Sequence, residues 1–192
     1  MSVDPVASIR DADFIYENIA VKIVANRDSP KIDLPGTKVG PFKEGKEYEV
    51  RLWVAQELKK AGIARIRMDE PLDLMVLNKI HWKERVQASQ KVTSVPEDFY
   101  PKLRRFLEEL NEKAIKKPEK RSDYEKAVNL SDDITRMRLK KIVSLASSTS
   151  KTQTSQILRS LTKEEKSIYN YLNTIISEWR NEILKTQRGD KT

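Results

Sequence analysis

Two hydrophobic rhythms follow one another along the chain. Over the first 70 residues apolar and polar positions exchange within short runs. These are Val21, Ile23 and Val24 within 20–25, Lys31 to Leu34, Tyr48 and Val50, and Ile63 to Met68. Such runs predict short, half-buried β-strands. Asn26, Asp28, Ser29 and Pro30, then Pro35-Gly36, Gly40-Pro41 and Gly45, are turn residues between them, so the chain must reverse repeatedly. Leu52 to Lys60 predicts one helix, with Leu52, Ala55 and Leu58 on one side. Gly62 stands where a C′ glycine ends such a helix.

After Glu70-Pro71 the period changes to 3.6. Proline biases its predecessor away from helix, which makes this dipeptide a boundary. Leu72 to Gln90 predicts a helix whose apolar face weakens after Trp82, and Val95-Pro96 breaks the chain. Phe99, Leu103, Phe106, Leu107 and Leu110 then form the stripe of a helix that Lys116-Lys117-Pro118 ends. A further helix is expected from Tyr124 or Ser131 to Ala146, with Ser131 as N-cap and Asp132 and Asp133 at the positive end of its dipole. The polar run Ser147 to Ser155 reads as a loop. Thr162 and Glu165 make a capping-box pattern. The helix they open places Ile168, Leu172, Ile175, Ile176, Trp179 and Ile183 on one face, and Gly189 ends it. The expected fold class is α+β, with a small β-rich domain over 1–70 and a larger all-α bundle over 71–192.

Composition narrows the function. Hydrophobic residues are 38% and charged residues 34%, against about 45–50% and 25% in typical soluble domains. A chain so rich in charge either solvates much of its surface or buries some apolar stripes only against partners. Its net charge of +8 is uneven. Residues 1–70 hold 12 basic and 12 acidic residues, and the remainder holds 25 basic and 17 acidic. There is no cysteine, which removes disulfides, thiolate metal sites and cysteine nucleophiles. His81 is the single histidine, too few for a histidine metal site, and it reads as structural. No glycine-rich phosphate loop is present. Asp132-Asp133 and Glu164-Glu165 lie at expected helix starts, where the dipole accounts for them. No enzyme, metal or cofactor is therefore expected. No apolar run reaches the ~18–20 residues of a membrane span. The N-terminus, with Asp4, Asp11 and Asp13, lacks the basic and apolar regions of a signal peptide. A cytoplasmic chain is the expectation.

Arg136, Arg138, Lys140 and Lys141 form a basic cluster on one predicted helix. Such a cluster can contact phosphates, but no aromatic residues are interleaved for base stacking. A solvated basic face is preferred, and an independent DNA-binding module is the alternative. Trp53, Trp82 and Trp179 fall in predicted helices, as core or as anchors of a protein interface.

The segment Ile32 to Ile66 carries a more specific signal. Gly40, Pro41 and Phe42, then Gly45, then Leu52, Trp53, Val54 and Ala55, then Ile63 to Ile66 resemble the β-rich domain of archaeal GINS complex subunits of the two/three type, related to the second and third partner-of-Sld-five proteins. Val95, Pro96, Phe99 and Tyr100 resemble that family's entry to a long helix. Thr135 and Arg136, with Arg138, Lys140 and Lys141, are similar to its basic segment. The resemblance implies a non-catalytic subunit in DNA replication with the β domain first. It further implies a 2:2 heterotetramer with a sister subunit, and assembly with the MCM helicase and a RecJ-like protein. Phe99, Leu103, Phe106, Leu172, Ile175, Ile176, Trp179 and Ile183 are then the candidate core or subunit interface. Arg136, Arg138, Lys140 and Lys141 are the candidate basic surface, with at most a weak DNA contact. The abundance of Lys, Arg and Glu fits a thermophilic source.

Overall fold

The structure is a computed structural model that describes residues 4–67, 71–86, 92–148 and 157–188. It is an α+β protein with two units. One unit is Asp13–Pro71, and the other joins the residues up to Ala12 to those from Leu72 onward.

The chain opens with helix α1 (Pro5–Glu17), which the hydrophobic pattern does not announce. Its start follows a simple rule. The Asp4 carboxylate accepts the Val6 N–H at 3.0 Å, and Pro5 occupies the first helical position, where a missing N–H costs nothing.

In the unit from Asp13 to Pro71, β1 (Ala20–Ala25) is the central strand of a three-stranded antiparallel sheet. Its neighbours are β4 (Glu47–Arg51) and β5 (Ala64–Arg67), with Ile23 opposite both Tyr48 and Ile66. A hairpin of β2 (Ile32–Leu34) and β3 (Thr37–Val39) intervenes. Helix α2 (Leu52–Lys60) buries Leu52, Ala55 and Leu58, the three positions its periodicity predicts, together with Val54. It ends in a Schellman arrangement. Gly62 has φ +69°, its N–H donates to Lys59 O at 3.0 Å, and the Ile63 N–H donates to Leu58 O at 2.9 Å.

Gly40 has a steric requirement of its own. Its φ is +88°, and a Cβ there would lie 3.2 Å from the Pro30 carbonyl and 3.3 Å from the Phe42 ring. The cis Gly40-Pro41 bond follows. Phe42 is buried in the core, edge-on to Tyr48 with ring centroids 5.0 Å apart.

The second unit contains α3 (Leu74–Val86), α4 (Phe99–Lys116), a short 3-10 turn (Pro118–Lys120), α5 (Arg121–Ser147) and α6 (Lys163–Arg188). Helix α5 packs against α3, α4 and α6. Two apolar clusters lie along it. One gathers Leu77, Phe99, Leu103 and Ile134, with Phe106 and Leu107 packed beside them. The other gathers Val92, Ile142, Leu145 and Tyr169, with Ile168, Leu172 and Ile176 beside them.

Some expectations need correction. The first bundle helix starts at Leu74 rather than Leu72, and its expected end at 87–90 lies outside the described residues. Helix α5 begins at Arg121, so Ser131 lies inside it and is not an N-cap. The Ser131 hydroxyl donates to Ala127 O at 2.6 Å, the i−4 back-bond by which serine is accommodated mid-helix. Asp132 and Asp133 consequently do not face a helix start. Asp132 pairs with Arg136 at 2.7 Å, and Asp133 lies 3.5 Å from His81 Nε2. The expected loop is helical at Ser147 and capped by Ser148, with 149–155 outside the described residues, as is Gly189.

Candidate interaction surface

Helix α6 presents two different faces. Its first turns bury Tyr169 and half-bury Ile168, Leu172 and Ile176 against α5. Beside that face run Tyr171, Ile175, Trp179 and Ile183 at steps of four, and all four are exposed, Trp179 by 63%. The stripe that periodicity reads as one face is therefore divided by the packing. Phe99 and Leu103 are core, Phe106 and Leu172 are half-buried, and Ile175, Trp179 and Ile183 are bare. Trp82 and Val86 on α3 are exposed as well. Large apolar side chains in a row at the surface mark an interaction face.

The basic cluster is also divided, and here the sequence reading is corrected. Arg138 and Lys141 are not surface residues. They are 0% and 8% exposed. Arg136 and Lys140 do face outward, Arg136 paired with Asp132. A basic run on a helix turns through 100° per residue, so positions 136 and 140 share a side while 138 points inward.

Arg138 lies between the two apolar clusters, and it donates to carboxylate and carbonyl oxygens. Its Nε and Nη2 form a fork on Glu165, at 2.5 Å to Oε1 and 2.8 Å to Oε2. Nη1 donates to Thr93 O at 2.7 Å and to the Glu84 carboxylate. Lys141 Nζ donates to Glu84 Oε2 at 2.7 Å. Two cations and two carboxylates thus form a buried quartet. Tyr100 donates its hydroxyl to Glu165 Oε1 at 2.7 Å. The Thr162 N–H donates to Glu165 Oε2 at 3.0 Å, and Thr162 Oγ1 accepts the Glu165 N–H at 3.4 Å. The capping box is therefore formed, and its carboxylate is also the partner of the buried guanidinium.

The electrostatics follow from this geometry. Burial alone would raise the Glu165 carboxyl, but the hydrogen bonds and charge of Arg138 outweigh it, and the group sits below its ordinary value. Burial works against the Arg138 charge, and Glu165 reverses that, so the guanidinium holds its proton more firmly than usual. Burial, then the adjacent carboxylate, pushes the Tyr100 hydroxyl upward and keeps it a donor. Glu84 and Thr93 gave no signal in the sequence, and Tyr100 only as part of the helix entry, because nothing in periodicity marks which polar residue will meet which. Among the described residues no group of His, Asp or Glu is placed to hold a metal ion. No described helix is long and apolar enough to cross a membrane.

Fold and surface together define the class, an α+β chain with a small sheet unit and a helical bundle. Residues 8–67 match the PSF2 N-terminal domain and residues 72–184 match the GINS complex protein helical bundle domain. The chain belongs to the PSF2 family of GINS complex proteins. It is similar to the DNA replication complex GINS protein PSF2 of Homo sapiens, 33% identical over 97 residues, covering 50% of this chain and 51% of that protein. The Xenopus laevis protein of the same description is 31% identical over 97 residues, with the same coverage. A probable PSF2 of Drosophila melanogaster is 33% identical over 88 residues, 46% of this chain and 42% of that protein. The alignments span about half the length of these curated relatives.

Proposed function

We propose that this chain is a non-catalytic GINS subunit in DNA replication, and that the exposed stripe of α6 binds its sister subunit in a 2:2 heterotetramer. That tetramer would brace an MCM helicase together with a RecJ-like protein, as in the archaeal form of the complex. It would act by binding one arrangement of the helicase better than others. The observation that carries the reading is the row Tyr171, Ile175, Trp179 and Ile183, bare on a helix whose adjacent apolar positions Ile168, Leu172 and Ile176 are packed. Aromatic anchors of this kind supply most of the binding energy at protein interfaces. The family relationship supports the same reading, since its relatives carry the description of a replication complex.

The division of α6 makes the test selective. Co-expression with the sister subunit, followed by light scattering, should give the 2:2 mass. Trp179→Ala should leave the isolated chain's melting unchanged and weaken assembly, whereas Ile176→Asp should lower the melting temperature itself. A monodisperse chain that ignores the sister subunit would end the proposal. The alternative, an independent DNA-binding module, loses two of its four candidate residues, Arg138 and Lys141, to the interior.

A further inference from the structure

A cavity of about 350 Å³ opens between the start of α1 and helices α4, α5 and α6. Its walls are largely apolar, with Val6, Ile9, Leu139, Ile142 and Ile168 among them. Its size falls at the lower end of the ~300–1,000 Å³ typical of ligand pockets. Two adjacent carboxylates line it, Glu164 and Glu165, and their situations differ. Glu165 is occupied by Arg138, Tyr100 and the Thr162 N–H. Glu164 is 7% exposed, and neither of its carboxylate oxygens has a hydrogen-bond partner among the described residues. Arg104 also lines the cavity and has an interaction of its own, but donates no hydrogen bond to Glu164. A buried carboxylate without a partner is costly, and the cost is removed by a cation that brings its own donors.

We infer that this cavity receives an aliphatic cation, the side chain of a lysine or arginine on a partner polypeptide, with its methylenes along Val6, Ile9 and Ile168 and its charged head at Glu164. A long basic side chain matches the site because it is apolar along its stem and charged only at its tip. The polypeptide source rests on the assembly role proposed above. The chemistry of the cavity does not.

The full chain, labelled with 15N, is titrated with n-pentylammonium, which mimics the lysine side chain, and with n-pentanol, its uncharged counterpart. Pentylammonium should give saturable shifts at the Leu139, Glu164 and Ile168 amides and bind about tenfold tighter than pentanol, the scale of one charge-assisted hydrogen bond. Glu164→Gln should abolish that preference. Leu139→Trp, which fills the mouth of the cavity from a 44% exposed position, should weaken both probes. Equal binding of the two probes, or an unaltered preference in Glu164→Gln, overturns the assignment. If that variant does not fold, the two-probe comparison on the native chain and the Leu139→Trp variant still decide. The titration is then repeated with the sister subunit bound. Loss of the pentylammonium response supports a partner side chain in the cavity, and a persistent response overturns it. Absence of any complex in light scattering overturns the assembly reading and with it the polypeptide source, while the probe titration still decides the cavity.

Discussion

Arg136 and Arg138 are two residues apart and chemically identical, yet one is an exposed partner of Asp132 and the other is sealed between Glu84 and Glu165. Removing a partner from a buried ion pair strands the remaining charge, typically at about 3–5 kcal/mol. Exposed pairs contribute ~0–1 kcal/mol. Arg138→Met should therefore lower the urea unfolding free energy by about 3–5 kcal/mol, and Arg136→Met by no more than about 0.5 kcal/mol. Equal losses would mean that the quartet does not hold the bundle. Acid offers an independent check on the same residues. Glu165 has a folded value below its unfolded one of about 4.3, so the unfolded chain takes up the proton first. Its contribution is complete above that value and is lost as pH falls through the folded value. Glu165→Gln should accordingly show a shallower decline of stability below about pH 4.3 than the native chain. The sequence identified the cap Thr162–Glu165 because both partners lie three residues apart. It could not identify Arg138–Glu165, whose partners lie 27 residues apart.

At the scale of elements, what was legible is what local chemistry controls. Helix α2 occupies Leu52–Lys60, the range its period predicts, and stops at Gly62. An L side chain in that left-handed position costs about 1–2 kcal/mol. Gly62→Ala should lower stability in thermal or urea unfolding by that amount, even though a Cβ there meets no neighbour. A neutral substitution would show that the turn relaxes. The elements that escaped the sequence did so for identifiable reasons. Helix α1 has a low apolar contrast, so its only signal was the Asp4-Pro5 start. Helix α5 extends well before Ser131 because a serine can bond back to Ala127 and stay helical. The stripe on α6 was visible, but periodicity does not tell packed from bare positions. Burial separates Leu172 and Ile176 from Ile175 and Trp179.

For the whole molecule, the excess charge lies after residue 70 but is not gathered into one basic site at the 136–141 cluster. Two of those four cations are neutralised inside, and Arg136 is paired. A dispersed field of this kind binds nucleic acid weakly and with steep salt dependence. Fluorescence anisotropy with duplex DNA should show Arg136→Glu with Lys140→Glu to be no more damaging than Lys116→Glu with Lys117→Glu. A selective loss from the first pair would restore a dedicated contact. The quartet around Arg138 has one more consequence, for the order in which the bundle loosens. Glu165 closes the cap of α6 and holds the middle of α5 at once, so the beginning of α6 cannot unwind without taking from Arg138 the acceptor of its Nε and Nη2. The later part of the helix is held differently: Arg180 Nη2 donates to Ser147 O, an uncharged acceptor at the end of α5, at 2.8 Å. Helix α6 is pinned twice to α5, by a buried ionic fork at its start and by a single carbonyl contact further along. The more lightly held stretch is the one that leaves Trp179 and Ile183 bare.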